Sequence, residues 1–390
     1  MSRAKAIVQR SVAATSGLVL ALACVELVPR LVPGLMPAKV RAVQRIYNAR
    51  ATWEQMMRGH EQLGFVLRPD LDLEFPSEAG PIRIRTKPLP VEGIGYRDIG
   101  TAPPFDGIAL GDSFTFCDDA RAEDCWVRHL SNATGLSLAT LGVNGYSNLA
   151  EARLLDLVGP AMKPRLVLVG FFPNDFKDNL HFELWRQSGT RDDYWTWMRR
   201  RRRSDLSDAL ARHSILYRLV DAARRYGKRD TREFRSQALD FVFRADAWWR
   251  EVVRHPGQTP GFRLTRQAFA ELKRTSEQLG AELVILLFPF KEQVYWDIAK
   301  RYQPPGERFE QAQVDAPLNA LLSACEEIGV RCCNLLPGLR RRAKGGVQLY
   351  HRVSAHWNAA GNQAAAEEVA ACLERWHVVE RVKTIEESAS

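Results

Sequence analysis

From Phe105 onward the chain alternates short apolar runs with longer amphipathic stretches, and this alternation narrows the folds open to it. The apolar runs fall at residues 107–110, 137–141, 165–171, 282–288 and 331–335. Helical patterns occupy 124–134, 148–158, 264–279 and 314–328, and a last one covers 359–376. Alternating strands and helices predict a parallel sheet covered on both faces. Right-handed crossovers then give a doubly wound, three-layer α/β/α sandwich with five parallel strands. Ligands of such sheets sit beyond the carboxyl ends of the strands, so the residues just after each run are where chemistry is expected.

The remaining segments read differently. Arg3, Lys5 and Arg10 precede an apolar stretch from Ser11 to Val28 that only Glu26 interrupts, the pattern of a signal anchor or a cleaved signal peptide over residues 1–30. An uncleaved anchor, with the body outside the cytoplasm, is the reading favoured here. Residues 31–104 read as a juxtamembrane helical stalk followed by a small β-rich module, with alternation such as Ile82-Arg83-Ile84-Arg85. The main domain spans 105–378, and a tail over 379–390 is expected to fray. Residues 176–262 interrupt the alternation and are rich in Trp, Tyr and Arg, as in Tyr194-Trp195-Thr196-Trp197 and Ala247-Trp248-Trp249-Arg250; they read as a helical insertion after the third strand.

A chain of 390 residues, 46% hydrophobic, has enough material for one large core plus a smaller appended unit. Its net charge of +9 owes much to arginine, including the run Arg199 to Arg203, which reads as a solvated face or as a contact for anionic headgroups or an acidic polymer. No zinc-finger, helix-turn-helix or RNA-binding signature accompanies it, so nucleic acid is not the expected partner. The seven cysteines show no paired metal-ligand spacing, and neither a metal nor an organic cofactor is implied. Cys117 and Cys125 flank a polar loop; in an oxidising compartment they would form a small disulfide, and otherwise they are free thiols.

Three predicted strand ends deliver polar residues. They are Gly111-Asp112-Ser113, Gly142-Val143-Asn144-Gly145-Tyr146 and Phe172-Pro173-Asn174-Asp175, and His356 stands just before the last helix. A serine hydroxyl is a weak nucleophile that needs a base and donors for the developing oxyanion. Consecutive parallel strands should bring these groups to one sheet edge.

Taken in order, the four segments resemble the sequence blocks of the SGNH (GDSL-type) hydrolase superfamily, whose members are flavodoxin-like sandwiches acting as esterases, lipases, thioesterases and carbohydrate O-acetyl esterases. The resemblance implies Ser113 as nucleophile and His356 as general base. It also implies an oxyanion hole from the backbone N–H groups of Ser113 and Gly145 and the side-chain amide of Asn174. Two positions depart from the pattern: Phe172 occupies the usual glycine of the third block, and Ser354 stands where an aspartate normally precedes the histidine by two residues. The outcomes left open are a Ser-His dyad, an acid borrowed from elsewhere, or a member that binds without turnover. The segment from Phe288 through Tyr295, together with Leu349-Tyr350 and His356-Trp357-Asn358, is similar to membrane-associated members linked to O-acetylation of exported polysaccharides, alginate among them. On that reading Lys291, Tyr295 and Trp357 are candidates for a substrate rim, the alternative for Lys291 and Tyr295 being a salt-bridged loop. The substrate would be an O-acyl, most simply acetyl, ester of an envelope or exported glycan, with the acyl group passing to water or, in an acyltransferase, to a sugar hydroxyl.

Overall fold

Six consecutive buried residues, Leu166–Phe171, form the strand at the middle of the parallel sheet. The computed structural model describes residues 2–389 except 33, 35, 203–204, 227–230, 245–248, 304–305 and 307. Arg203, Ala247 and Trp248 therefore lie outside the described residues. The main sheet has eight strands: β1 (Asp72–Ser77), β2 (Gly80–Pro88), β3 (Gly95–Arg97), β4 (Gly107–Leu110), β5 (Leu138–Thr140), β6 (Leu166–Phe171), β7 (Glu282–Leu287) and β8 (Arg331–Asn334). They are ordered β8-β7-β6-β4-β5-β3-β2-β1.

The five parallel strands follow the order second, first, third, fourth, fifth, which is the flavodoxin-like winding. Register is set by apolar burial on both faces: Ile108 pairs with Ala139 on one side and Val167 on the other, and all three are fully buried. Winding reverses at β4, because its neighbours β5 and β6 are reached by crossovers running in opposite directions. A crevice opens at such a switch point beyond the carboxyl ends of the strands, and Ser113 follows β4 directly.

Helix Trp126–Thr134 packs on Ala359–Arg375, while Pro260–Gln278 packs on Asn148–Met162 and Asp175–Gln187. Local chemistry fixes where these helices begin. Thr259 accepts from Phe262 N–H at 3.2 Å with Pro260 opening its helix, and Asn358 accepts from Gly361 N–H at 2.9 Å.

Three segments differ from the sequence expectation. The β-rich stretch after residue 63 supplies β1–β3, which extend the main sheet antiparallel from β5 through the Arg97–Thr140 pair. The insertion is not wholly helical: Thr231–Arg235 and Asp240–Arg244 form a hairpin, held by the buried alternate residues Phe241 and Phe243. The tail, expected to be irregular from 379, contains helix Val378–Ala389. Val378 and Val382 are fully buried one turn apart, and Arg381 pairs with Glu282 at 2.6 Å.

Chain contacts divide the molecule into two units, one of residues 1–54 with 199–229 and one of 55–198 with 230–390. In the first, helix Ser2–Leu31 contains a 25-residue apolar stretch, Ile7–Leu31, long enough to cross a bilayer. Glu26 within it accepts from Ser214 Oγ and from the Ile215 and Leu216 N–H groups, each at 3.0 Å. The carboxylate thus caps the positive end of helix Ile215–Tyr226.

Candidate active site

The turn that carries Ser113 is built by close backbone approach. Gly111 has φ +153°, and a Cβ there would lie 2.1 Å from Thr115 Oγ1; a Cβ on Gly142 would lie 2.2 Å from the Phe116 nitrogen. Only glycine lets the ends of β4 and β5 meet the turn this tightly. Asp112 accepts from Phe114 N–H at 2.9 Å and caps the single helical turn Ser113–Phe116. Beneath it, fully buried Arg97 donates to the carbonyls of Phe116, Cys117 and Ala120 at 2.5, 2.7 and 2.6 Å. Burial lowers the pKa of this guanidinium to about 10, although Asp118 and Glu123 oppose the shift. A Cys117–Cys125 disulfide closes the loop that follows, and Cys325–Cys332 and Cys333–Cys372 are also bridged. Cys24, in the apolar helix, is free.

His356 meets Ser113 across 243 residues of sequence, with Nε2 at 2.8 Å from Oγ. Its other ring nitrogen, Nδ1, faces Asp119 Oδ2 at 3.3 Å and Ser354 Oγ at 3.0 Å. Asp119 was not singled out from sequence. It stands six residues after the serine inside the disulfide loop, in the left-handed conformation (φ +63°) that aspartate tolerates better than most residues. The Glu78 N–H holds its other oxygen at 2.9 Å. The available signal was the acidic pair Asp118-Asp119 confined between two cysteines close to the serine.

The charges around the imidazole are unequal. Burial disfavours the His356 cation, but the hydrogen bond to Asp119 and the charges of Asp118, Asp119 and Asp112 outweigh it and raise the pKa to about 9. Burial likewise opposes ionisation of Asp119, yet the bond from His356 and the Glu78 and Ser354 donors hold this carboxyl well below the usual range. Burial pushes Asp118 up to about 7 and Asp112 up to about 6. Only the neutral imidazole can take a proton from Ser113. Any reaction that draws on Nε2 as a base is therefore expected to rise with pH and to level off only above about pH 9; a pH profile of kcat/KM flat from pH 7 upward would contradict this. The stability consequence has the opposite sign. The raised histidine stabilises the fold fully below its ordinary 6.5, and that contribution is lost as pH climbs through about 9.

The two other strand-end groups lie on adjacent loops. Gly145, at φ +82°, follows β5, and half-buried Asn174 precedes helix Asp175–Gln187. The Asn174 amide donates to Asp178 at 2.8 Å, and the nearby amide favours ionisation of Asp112, the neighbour of Ser113. Buried Asn148 joins the loops by donating to Glu151 at 3.0 Å and Asp175 at 3.1 Å.

The three candidate rim residues are buried, which corrects their expected role. Lys291, Tyr295 and Trp357 are 3%, 3% and 1% exposed. Lys291 Nζ donates to the carbonyls of His351, Arg352 and Ser354, each at 3.1 Å. Tyr295 donates to Val347 O at 2.6 Å and accepts from Leu349 N–H at 2.8 Å. The Trp357 ring packs on Phe114 and Phe288, with centroids 4.9 and 4.8 Å apart. The loop 347–357 folds over them, so they build the support of His356. Among the described residues, no group of three or more His, Cys, Asp or Glu side chains is arranged to hold a metal ion.

Residues 243–388 match the family model described as SGNH hydrolase-like domain, acetyltransferase AlgX; the match includes His356 and leaves Ser113 outside it. No curated protein matches the chain. Among solved structures, the psychrotrophic esterase EstA from Pseudoalteromonas sp. is 12% identical, with 70% of this chain and 98% of that one covered and a TM-score of 0.36. A catalytic mutant of Axe2, an acetylxylan esterase from Geobacillus stearothermophilus, is 14% identical over 69% of this chain and 94% of its own, with a TM-score of 0.36. Neither likeness bears on activity.

Proposed function

We propose that this chain is an SGNH-type, serine-dependent acyl esterase whose catalytic groups are Ser113, His356 and Asp119. The observation that carries the reading is the unbroken contact from Ser113 Oγ through both nitrogens of His356 to the Asp119 carboxylate. Ser113 attacks the ester carbonyl while Nε2 takes its proton, and Asp119 holds the tautomer and stabilises the imidazolium. The backbone N–H groups of Ser113 and Gly145 and the Asn174 amide receive the oxyanion. His356 then protonates the leaving alkoxide. Water, activated by the same histidine, cleaves the acyl-enzyme and regenerates the serine.

The substrate class proposed is an acetyl ester on an envelope or exported glycan, supported by the match to the AlgX acetyltransferase model. The helix Ile7–Leu31 would anchor the protein, with the catalytic unit outside the cytoplasm. Three disulfides suit that compartment. A second reading, transfer of the acetyl group to a sugar hydroxyl, is favoured by the same family model. Incubating the full chain with p-nitrophenyl acetate, with and without oligosaccharide acceptors, separates the two. Phenol release with free acetate is expected of the esterase, and acetylated sugar of the transferase. A folded protein that releases no phenol under either condition sinks both.

A further inference from the structure

We infer that Glu78, at the turn between β1 and β2, is a positioning residue that sets the geometry of the acid–base pair, with Lys291 as its counterpart on the opposite side of the His356 loop. The inference rests on the esterase reading only for its kinetic consequence. Glu78 makes two kinds of contact. Its carboxylate accepts from Val353 N–H at 2.9 and 3.2 Å and from Ser354 N–H at 2.6 Å. Its own N–H donates to Asp119 Oδ1 at 2.9 Å, leaving Oδ2 to face the imidazole. One residue of a distant hairpin thus holds the catalytic carboxylate and the segment that carries the catalytic base.

Lys291 completes the arrangement. Its ammonium sits on the carbonyls of His351, Arg352 and Ser354, and its Nζ lies 5.6 Å from the Phe241 ring centroid. Segment 351–354 is therefore held by an anion on its N–H groups and a cation on its C=O groups. Burying an ammonium is costly unless other groups replace its water, and three convergent carbonyls do so here. Four backbone residues are fixed by two side chains that touch no reacting atom. The purpose this serves is angular: Nδ1 must meet Asp119 while Nε2 meets Ser113, and a displacement of about 1 Å at such a centre costs on the order of 10²-fold in rate.

The test reads the imidazole directly as well as through turnover. Besides Asp119, the groups facing His356 are Asp118, Asp112 and His351. The full chain in detergent, with ¹³C-labelled histidine and the His356 signal assigned by loss in His356→Gln, is titrated by NMR. In Glu78→Ala the His356 pKa is expected to fall from its raised value toward that of an ordinary histidine. kcat should drop by about 10- to 100-fold with KM little changed. Lys291→Met should move the same signal in the same direction. Glu78→Gln keeps an acceptor oxygen for Ser354 N–H and should titrate close to wild type, which supplies a test should the alanine variant not fold. Wild-type titration of His356 in folded Glu78→Ala or Lys291→Met overturns the inference, as does a Glu78→Gln protein as shifted as the alanine variant. If the wild-type protein cleaves no ester while these titration shifts appear, the positioning role stands and the esterase reading falls.

Discussion

Ser113→Ala is expected to lower kcat on a small acetyl ester by about 10⁶-fold while leaving the fold intact. The size follows from what is removed. His356 has no other hydroxyl at Nε2 among its hydrogen bonds, so no acyl-enzyme can form. What survives is the modest acceleration from bound substrate and the oxyanion donors acting on attack by water. Stability should barely change, because the serine loses one hydrogen bond in a turn whose conformation is fixed by the Asp112 cap and Arg97. A fluorophosphonate probe checks the result independently of substrate choice, since it needs only an activated serine. Labelling of wild type and none of the variant is expected. Equal labelling of both would place the nucleophile elsewhere.

Much of this site was legible before folding, and the rest was hidden for physical reasons. The parallel sheet was readable because its strands are almost continuously apolar: Val167 to Val169 and Val284 to Leu287 are all fully buried. Ser113 and His356 were readable as candidates because the four segments resemble, in order, the blocks of the SGNH hydrolases. Asp119 was not, because a carboxylate in a polar loop looks like any other until the chain brings it beside a histidine 237 residues away. Lys291 was misassigned for the converse reason. Its place past a strand end suggested a rim, and the three carbonyls that bury it lie 60 to 63 residues further on. The same limit hid the hairpin within the insertion, since the apolar run Phe241-Val242-Phe243 is short and lies in a segment whose neighbours read as helix. Local pattern reports which face of an element is apolar; it does not report what long-range partner a polar group will find.

Asp119→Asn is expected to lower kcat by about 10⁴-fold, the cost of denying a catalytic histidine its carboxylate in the comparable protease case. An amide at this position can donate to Nδ1, which stabilises the tautomer with hydrogen on Nε2 and leaves no lone pair to accept the Ser113 proton. The substitution also removes the hydrogen bond that contributes most to raising His356 above its ordinary 6.5. The residual activity should therefore reach its plateau at lower pH than wild type, so that loss of rate and an acid-ward shift of the profile appear together. Ser354 gives the decisive control. Its Oγ is already 3.0 Å from Nδ1, at the position where the SGNH hydrolases that the sequence resembles usually carry aspartate. In the Asp119→Asn background, Ser354→Asp should place a carboxylate within reach of the same nitrogen and recover a large part of the lost rate, whereas Ser354→Ala alone should have a small effect. Should Asp119→Asn stay within about tenfold of wild type, the Ser354 hydroxyl suffices to orient the base and the enzyme is a dyad. If Asp119→Asn is severe and Ser354→Asp fails to restore it, the carboxylate acts through its fixed attachment to the hairpin at Glu78 as well as through its charge. A relocated acid lacks that attachment, which would make the orientation of the acid, and not its presence alone, the quantity this fold has been built to supply.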